Sequence, residues 1–372
     1  MKSIGIFAIN TWDGGGATSM NNLSQIFKPI FNDITLVTTL DQNESLSSQI
    51  ENAEHINYHI VNHKGGGNKF SRIFNIIWSQ FRISYNLLKI VRKTDSFLFL
   101  GELLILPMLT AKIFRKKTFL SLPSSQLQMS IAIGDIFSRE LQYISRMAFL
   151  ISSSIILYTP NLITEWSLEE YKHKIVFAHE QYIDFTKFQK TKKTDDRKNL
   201  IGYVGRLSPE KGIDNFVKAI KLLSKDRDDL RFCIIGDGNL MDKTKLYIKN
   251  NGLEDVTSIL GRIDQDELPK YLNELQMLVI PSYTEGLPNI MLEAMACGTP
   301  VLAPSVGGIP DIITDGNNGF ILQDNSPETI SEGIKKVSDY PAKNDISENA
   351  EETVKKYFNY ETVVKQWSNI FS

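Results

Sequence analysis

The chain has 372 residues, of which 42% are hydrophobic and 23% charged, with a formal net charge of −2. That length predicts two domains of roughly 150–200 residues, and the composition is that of a folded globular protein, not a disordered or fibrous one. The charge balance argues neither for nor against polyanions, and no nucleic-acid partner is expected.

Cys233 and Cys297 lie far apart in apolar contexts and read as buried thiols of a reducing compartment. The apolar start, SIGIFAIN, is too short for a signal-peptide core. No run reaches the roughly 18 uninterrupted apolar residues of a spanning helix. The expected address is the cytoplasm.

Ile4–Ile9 has the pattern of a central parallel strand. It feeds TWDGGGATSMNNL, where Gly14, Gly15 and Gly16 precede a helix. Such a loop lets backbone amides approach an anion or a sugar closely, and it also serves as a plain strand-to-helix turn. Strands follow at Ile34–Thr38 and Ile56–Val61. His55, His59 and His63 share one face of the latter, but spread over about 26 Å they cannot share a metal.

Residues 69–93 carry six basic residues and no acid. At helical spacing Arg72, Arg82, Lys89, Arg92 and Lys93 fall broadly on one side, with Trp78 and Tyr85 among them. A core-packed helix with a basic solvent face fits this pattern, and so does a helix resting on an anionic membrane surface. Phe97–Leu100, Thr118–Leu122, Ile155–Tyr158 and Lys174–Ala178 continue the strand series. Residues 185–198, polar and without periodicity, read as the interdomain linker.

The second half restarts the alternation. Leu200–Val204 is a strand followed by GRLSPEKG, Ile213–Leu223 an amphipathic helix, and Leu230–Ile235 a strand ending in Gly236-Asp237-Gly238. Val256–Leu260 is a strand ending in Gly261-Arg262, and Leu268–Leu275 is a helix. The strand Met277–Ile280 leads to a loop with Glu285, Gly286 and Pro288, then to a helix starting near Asn289 and stopping at Gly298. Val301–Ala303 is a short buried strand, and 346–372 reads as helical, with Trp367, Ile370 and Phe371 as a docking stripe. Strand and helix alternate throughout, which predicts two doubly wound parallel-sheet α/β domains of Rossmann type facing one cleft.

Chemistry concentrates in the second half. Arg206 and Lys211 put two cations on one strand-end loop, a pairing suited to a diphosphate. Glu285 and Glu293 stand with seven largely uncharged residues between them. A glutamate on a helix accepts two hydrogen bonds from a vicinal diol, as at a ribose, while one on the preceding loop faces the hydroxyls of a second ring. GDGNLM lacks the third glycine of a dinucleotide fingerprint, and no P-loop is present.

YVGRLSPEKG, GDG, LGRI, PSYTEGLPNIMLEAMACGTPVLAPSVGGIPDII and DGNNGFIL, in that order, closely resemble the C-terminal half of group-1 retaining glycosyltransferases of family 4, with the GT-B fold. The resemblance covers roughly residues 200–325. The first half shares mainly GGGA and the strand order. The resemblance implies an enzyme that moves a sugar with retention from a nucleoside-diphosphate sugar, expected to be UDP-linked, without a metal. The basic-aromatic segment 69–93 adds the expectation of a glycan or lipid-linked acceptor, in surface polysaccharide or glycoconjugate synthesis at the inner face of the membrane.

By the same resemblance Arg206 and Lys211 would bind the diphosphate and stabilise the leaving group. Glu293 would hold the ribose, and Glu285, Gly286, Leu287 and Asn289 the donor sugar. Gly261 and Ile263 would border the base, and Gly15 and Gly16 would approach from the other domain. The expected domains are 1–184 for the acceptor, 185–198 as linker, 199–355 for the nucleotide sugar and 356–372 as a helix returning to the first. The family's first-domain histidine is missing from LSLPSSQ at 120–126, which leaves Ser121 or Ser124 as substitutes. Ala178-His179-Glu180 replaces a Pro-Asn-Gly turn, and Asp311 stands where glutamate is usual. A nucleotide-sugar-binding pseudoenzyme, or an epimerase or phosphorylase of the same fold, remains an alternative.

Overall fold

The structure, a computed structural model, describes residues 2–9, 15–41, 56–63, 69–123, 125–132 and 138–372. Gly14, His55 and Ser124 lie outside the described residues. The chain divides into two units, Met1–Tyr182 with Tyr360–Ser372, and Ile183–Asn359.

The first unit holds a parallel sheet. Its strands are β1 (Ser3–Ala8), β2 (Asp33–Asp41), β3 (Ile56–His63), β4 (Ser96–Leu100), β5 (Lys117–Ser121), β6 (Ser154–Leu157) and β7 (Ile175–Phe177), in the order β3-β2-β1-β4-β5-β6-β7. β1 is buried at every position, as a strand covered on both faces must be. The chain winds outward from β1 to β3 and then returns to β4, so the strand order reverses between β1 and β4. Right-handed crossovers place the helices Lys69–Ile90, Ile105–Ile113 and Ser138–Ile151 on one face of the sheet, where they neighbour one another. Gly15–Phe27 packs instead with the last helix, Tyr360–Ile370.

Aromatic packing returns that last helix to the first unit. Trp367 is fully buried, edge-on to Phe27 at 5.1 Å and stacked on Phe371 at 6.1 Å. Its indole nitrogen donates to the His179 carbonyl at 2.9 Å. Beside it, Glu180 is buried and accepts hydrogen bonds from the hydroxyls of Ser19 and Tyr158, with burial raising the pKa of its carboxyl. The 178–180 turn therefore ties the first helix to the end of β6.

The second unit has β8 (Leu200–Val204), β9 (Arg231–Ile235), β10 (Thr257–Gly261), β11 (Met277–Val279), β12 (Val301–Pro304) and β13 (Phe320–Leu322), all parallel, in the order β10-β9-β8-β11-β12-β13. Here the order reverses between β8 and β11. Phe216, Phe232 and Ile234 stand at the centre of its core. Cys233 and Cys297 are buried and free.

Two sequence expectations need correction. Residues 185–198 are part of the second unit's packing instead of a connector. Arg197 is 6% exposed and donates to the carbonyls of Leu275 at 3.1 Å and Cys297 at 2.7 Å and to the Thr299 hydroxyl at 2.7 Å. Burial brings its guanidinium down to about 10. A single buried cation collecting helix-end and loop carbonyls leaves no hydrophobic period to read. The stretch 346–372 is helical as the sequence predicts, in two helices, Lys343–Tyr357 and Tyr360–Ile370, separated where the Ile183 amide bonds the Phe358 carbonyl at 2.9 Å. The second unit thus extends to Asn359, past the expected 355.

Trp367→Ala should cost the first unit about 3–5 kcal/mol, the usual penalty for emptying a buried aromatic site. Native-state hydrogen exchange should show protection falling in β1 and Gly15–Phe27 while β8 and β9 keep theirs. Equal loss in both units would contradict the separate cores.

Candidate functional site

The candidate site grows from the loops that follow β8 and β11, the strands flanking the reversal point of the second sheet. Open parallel sheets leave a crevice there, at the carboxyl ends of the strands. The β8 loop runs from Gly205 through a single 3-10 turn, Pro209–Lys211, to Gly212, which opens the helix Ile213–Leu223. Gly212 sits at φ +68, and a Cβ there would lie 1.9 Å from the Pro281 carbonyl oxygen. Only glycine lets the two loops come this close.

Hydrogen bonds secure the contact. The Tyr283 amide donates to the Glu210 carbonyl at 2.9 Å. Asn215 donates to the Tyr283 hydroxyl at 2.7 Å and to the Asn325 carbonyl at 2.6 Å, and Asn325 donates to the Ser282 carbonyl at 2.8 Å. The phenol of Tyr203, buried in β8, donates to the Arg206 carbonyl at 2.7 Å. Burial, with the Glu285 and Glu210 charges adding, raises its pKa and keeps the hydroxyl protonated. A third loop presses in from β12. Gly307, at φ +59, stands so near Glu285 that a Cβ would meet its carbonyl oxygen at 2.1 Å, and the Gly308 amide bonds the Gly286 carbonyl at 2.6 Å.

This clamp brings Lys211 and Glu285 into direct contact, Nζ to Oε1 at 2.7 Å. The carboxylate side chain is 9% exposed and the lysine 31%. One ammonium N–H is thus committed to Glu285, and the group has two more to offer. Arg206 is exposed at the start of the same loop. Gly286 is half-buried, Leu287 and Pro288 are buried, and Asn289 opens the helix Asn289–Ala296 as the sequence predicts.

Glu293 projects from the second turn of that helix. Gln265, on the loop after β10, donates to its Oε1 at 2.8 Å. Burial pushes the Glu293 carboxyl up to about 7, against the opposing pull of the Gln265 hydrogen bond and the Lys187 charge. Gly261, at φ +71, and half-buried Ile263 lie on the Gln265 side, where the Gly261 carbonyl accepts from the Gly236 amide at 2.8 Å.

Gly15 and Gly16 belong to the first unit, where they form the first turn of the helix Gly15–Phe27. Ser121 is buried at the end of β5, its carbonyl taken by the Gly101 amide at 2.9 Å. Asp311 sits in the single-turn helix Ile309–Ile312. Among the described residues no group of three or more His, Cys, Asp or Glu is placed to hold a metal ion. Sequence reasoning missed Tyr203, Asn215, Tyr283, Asn325 and Gln265. These residues act through backbone carbonyls or a neighbouring side chain, and nothing in their spacing advertises it.

Residues 184–353 match the family model described as Glycosyl transferases group 1. A stretch of 156 residues is 35% identical to an uncharacterized glycosyltransferase of Methanocaldococcus jannaschii, over 42% of this chain and 43% of that protein. Another, of 149 residues, is 32% identical to the D-inositol 3-phosphate glycosyltransferase of Streptomyces avermitilis, over 38% and 32% of the two chains. The chain spans less than half the length of either relative. Anabaena HepE in complex with UDP is similar along the whole chain, with a TM-score of 0.80 at 18% identity, covering 100% of this chain and 99% of that one. So is the sucrose-phosphate synthase of Thermosynechococcus elongatus, with a TM-score of 0.78 at 15% identity, over 100% and 98%. At such identities the likeness is one of fold, two Rossmann-like domains of GT-B type. The family model fills nearly all of the second unit, less than half of the whole chain, and it is in this unit that the chain is similar to the group-1 glycosyltransferases.

Proposed function

We propose that the chain transfers a sugar, with retention, from a UDP-linked donor to a glycan or lipid-linked acceptor in surface polysaccharide or glycoconjugate synthesis, working in the cytoplasm at the inner membrane face. The observation that carries this reading is the Lys211–Glu285 contact at the reversal point of the second sheet. A cation and a carboxylate held together there suit the two halves of a nucleoside-diphosphate sugar, and HepE, of similar fold, was solved with UDP.

In this reading Lys211 and Arg206 bind the diphosphate. Their positive charge stabilises the leaving group as the bond between the anomeric carbon and the β-phosphate oxygen breaks, so no metal is required. The acceptor hydroxyl attacks from the same face, and its proton passes to the departing phosphate oxygen. Glu285, steadied by Lys211, takes hydroxyls of the transferred sugar together with the backbone around Gly286, Leu287 and Asn289. Glu293 takes the ribose diol, and Gly261 and Ile263 border the base.

Glu285→Ala should lower kcat by about two to three orders of magnitude while leaving UDP affinity within a few fold, since the carboxylate acts on the sugar. Lys211→Ala should weaken UDP binding roughly tenfold to a hundredfold, the worth of a charge-assisted hydrogen bond to phosphate. Titration calorimetry and initial rates read both effects. If both variants turned over like the parent, the assignment would fall, and a parent that binds UDP without turnover would favour the pseudoenzyme.

A pH dependence follows from Glu293. Burial favours its protonated form below about 7, whereas ribose hydroxyls donate best to the carboxylate. UDP binding should therefore release a proton, and affinity should rise as pH climbs from about 6 to 8. Glu293→Gln should flatten that profile. Because burial raises this pKa, ionising Glu293 opposes folding as pH rises, so the same variant should be thermally more stable than the parent at pH 8, with that advantage shrinking towards pH 5. A parent affinity independent of pH across this range would remove Glu293 from the ribose.

A further inference from the structure

The outer face of the first unit carries a surface that the donor site does not use. Leu106 donates its amide to Gln80 at 3.0 Å, and Lys112 donates to the Ile151 carbonyl at 2.8 Å. These bonds hold the helices Lys69–Ile90, Ile105–Ile113 and Ser138–Ile151 side by side. The first buries Ile83 and Leu87 but exposes Trp78, Phe81, Tyr85 and Leu88. From the second and the turn after it, Ile113 is 77% exposed and Phe114 is exposed with it. On the third, Tyr143 and Leu150 are 69% and 66% exposed. Scattered single exposures are ordinary, but large apolar side chains turned outward from three adjacent helices are not.

Charge follows the same surface. Residues 69–117 contain ten Lys and Arg and only two acids, Asp95 and Glu102, in a chain whose net charge is −2. Glu102 is buried and accepts from Ser125, and Asp95 is engaged by Ser3. Arg82 lies over the Trp78 ring at 5.6 Å and Lys89 over Tyr85 at 4.4 Å, flanking a groove of about 490 Å³ against Ile60 and Val61. A row of aromatic and aliphatic side chains bordered by cations is the chemistry of a helix lying in a lipid interface. Among the described residues no helix is long and apolar enough to cross a membrane.

We propose that this three-helix face docks flat on an anionic lipid bilayer. Ile113, Phe114, Leu150 and Phe81 enter the headgroup boundary, and Arg82, Lys89 and the basic run 115–117 meet lipid phosphates. A second copy of the face is disfavoured as occupant, because two such basic surfaces repel each other. A soluble polyanion would satisfy the cations and leave Ile113 and Leu150 in water. Only a bilayer answers both. The surface belongs to the other unit from the Lys211–Glu285 loops and would bind lipid whether or not transfer proceeds as proposed.

Flotation of the whole chain with vesicles tests this. The protein should float with vesicles of equal parts phosphatidylcholine and phosphatidylglycerol and stay behind with phosphatidylcholine alone. Ile113→Ser with Leu150→Ser, and separately Arg82→Gln with Lys89→Gln, should each weaken partitioning about tenfold or more. The UDP-induced thermal shift should persist in both variants, which shows that the fold and donor site are intact. A parent that ignores anionic vesicles overturns the proposal. So does an apolar double variant that floats like the parent, which would mark a polyanion patch, or a parent dimer that this variant dissociates. Vesicle binding without any UDP shift in the parent would sink the donor reading and leave the docking face standing.

Discussion

The near-contact of two backbones at Gly212 and Pro281 is the constraint on which the candidate site depends. A Cβ at position 212 would lie 1.9 Å from the Pro281 oxygen, far inside any van der Waals distance, and the residue is already left-handed. Gly307 repeats the arrangement against Glu285 from the next strand. Three strand-end loops are thereby packed at backbone distance, which side chains of any size would prevent. Fixing loops this tightly costs conformational entropy during folding, and the return is a site whose charged groups need not reorganise on binding.

Lys211 and Glu285 show what that rigidity is for. Partly exposed ion pairs contribute only about 0–1 kcal/mol to stability, so the pair is a weak reason for the loops to close. Its effect is on placement. Glu285, almost wholly buried, is held by Lys211, whose ammonium has two further N–H groups beyond this contact. Arg206 is exposed at the start of the same loop. Glu293 is the contrasting case. Gln265 donates to it, no ion pair engages it among the described residues, and burial pushes its carboxyl up to about 7.

The fold was legible wherever burial imposes a period. Ile4–Ile9 and Leu200–Val204 announce central strands, and the helix from Asn289 begins where Pro288 says it should. Arg206 and Lys211 stood out as two cations on one strand-end loop and Glu285 and Glu293 as a carboxylate pair across an uncharged window, and the structure gathers Lys211 and Glu285 into one contact that their spacing of 74 residues hides. What stayed hidden were contacts made with the backbone. Arg197 binds carbonyls and so passed for a linker residue, and Tyr203 holds the Arg206 carbonyl. Carbonyl groups belong to every residue, so no residue pattern predicts which of them an isolated polar side chain will find.

The two faces of the first sheet explain why one surface is finished and the other is not. On one, the returning helix Tyr360–Ile370 lays Trp367 and Phe371 over Phe27 and Phe31, and the aromatic cluster is sealed. On the other, three crossover helices cover the sheet, and Ile113, Phe114, Tyr143 and Leu150 along them stay exposed. A chain that recruits its own C-terminus to close one face could have used polar side chains to finish the opposite one at no cost to the core, since Ile113 and Leu150 bury little against the sheet. Apolar residues retained where water would favour polar ones imply a second phase that repays their exposure. The local excess of Lys and Arg fits an anionic interface as that phase.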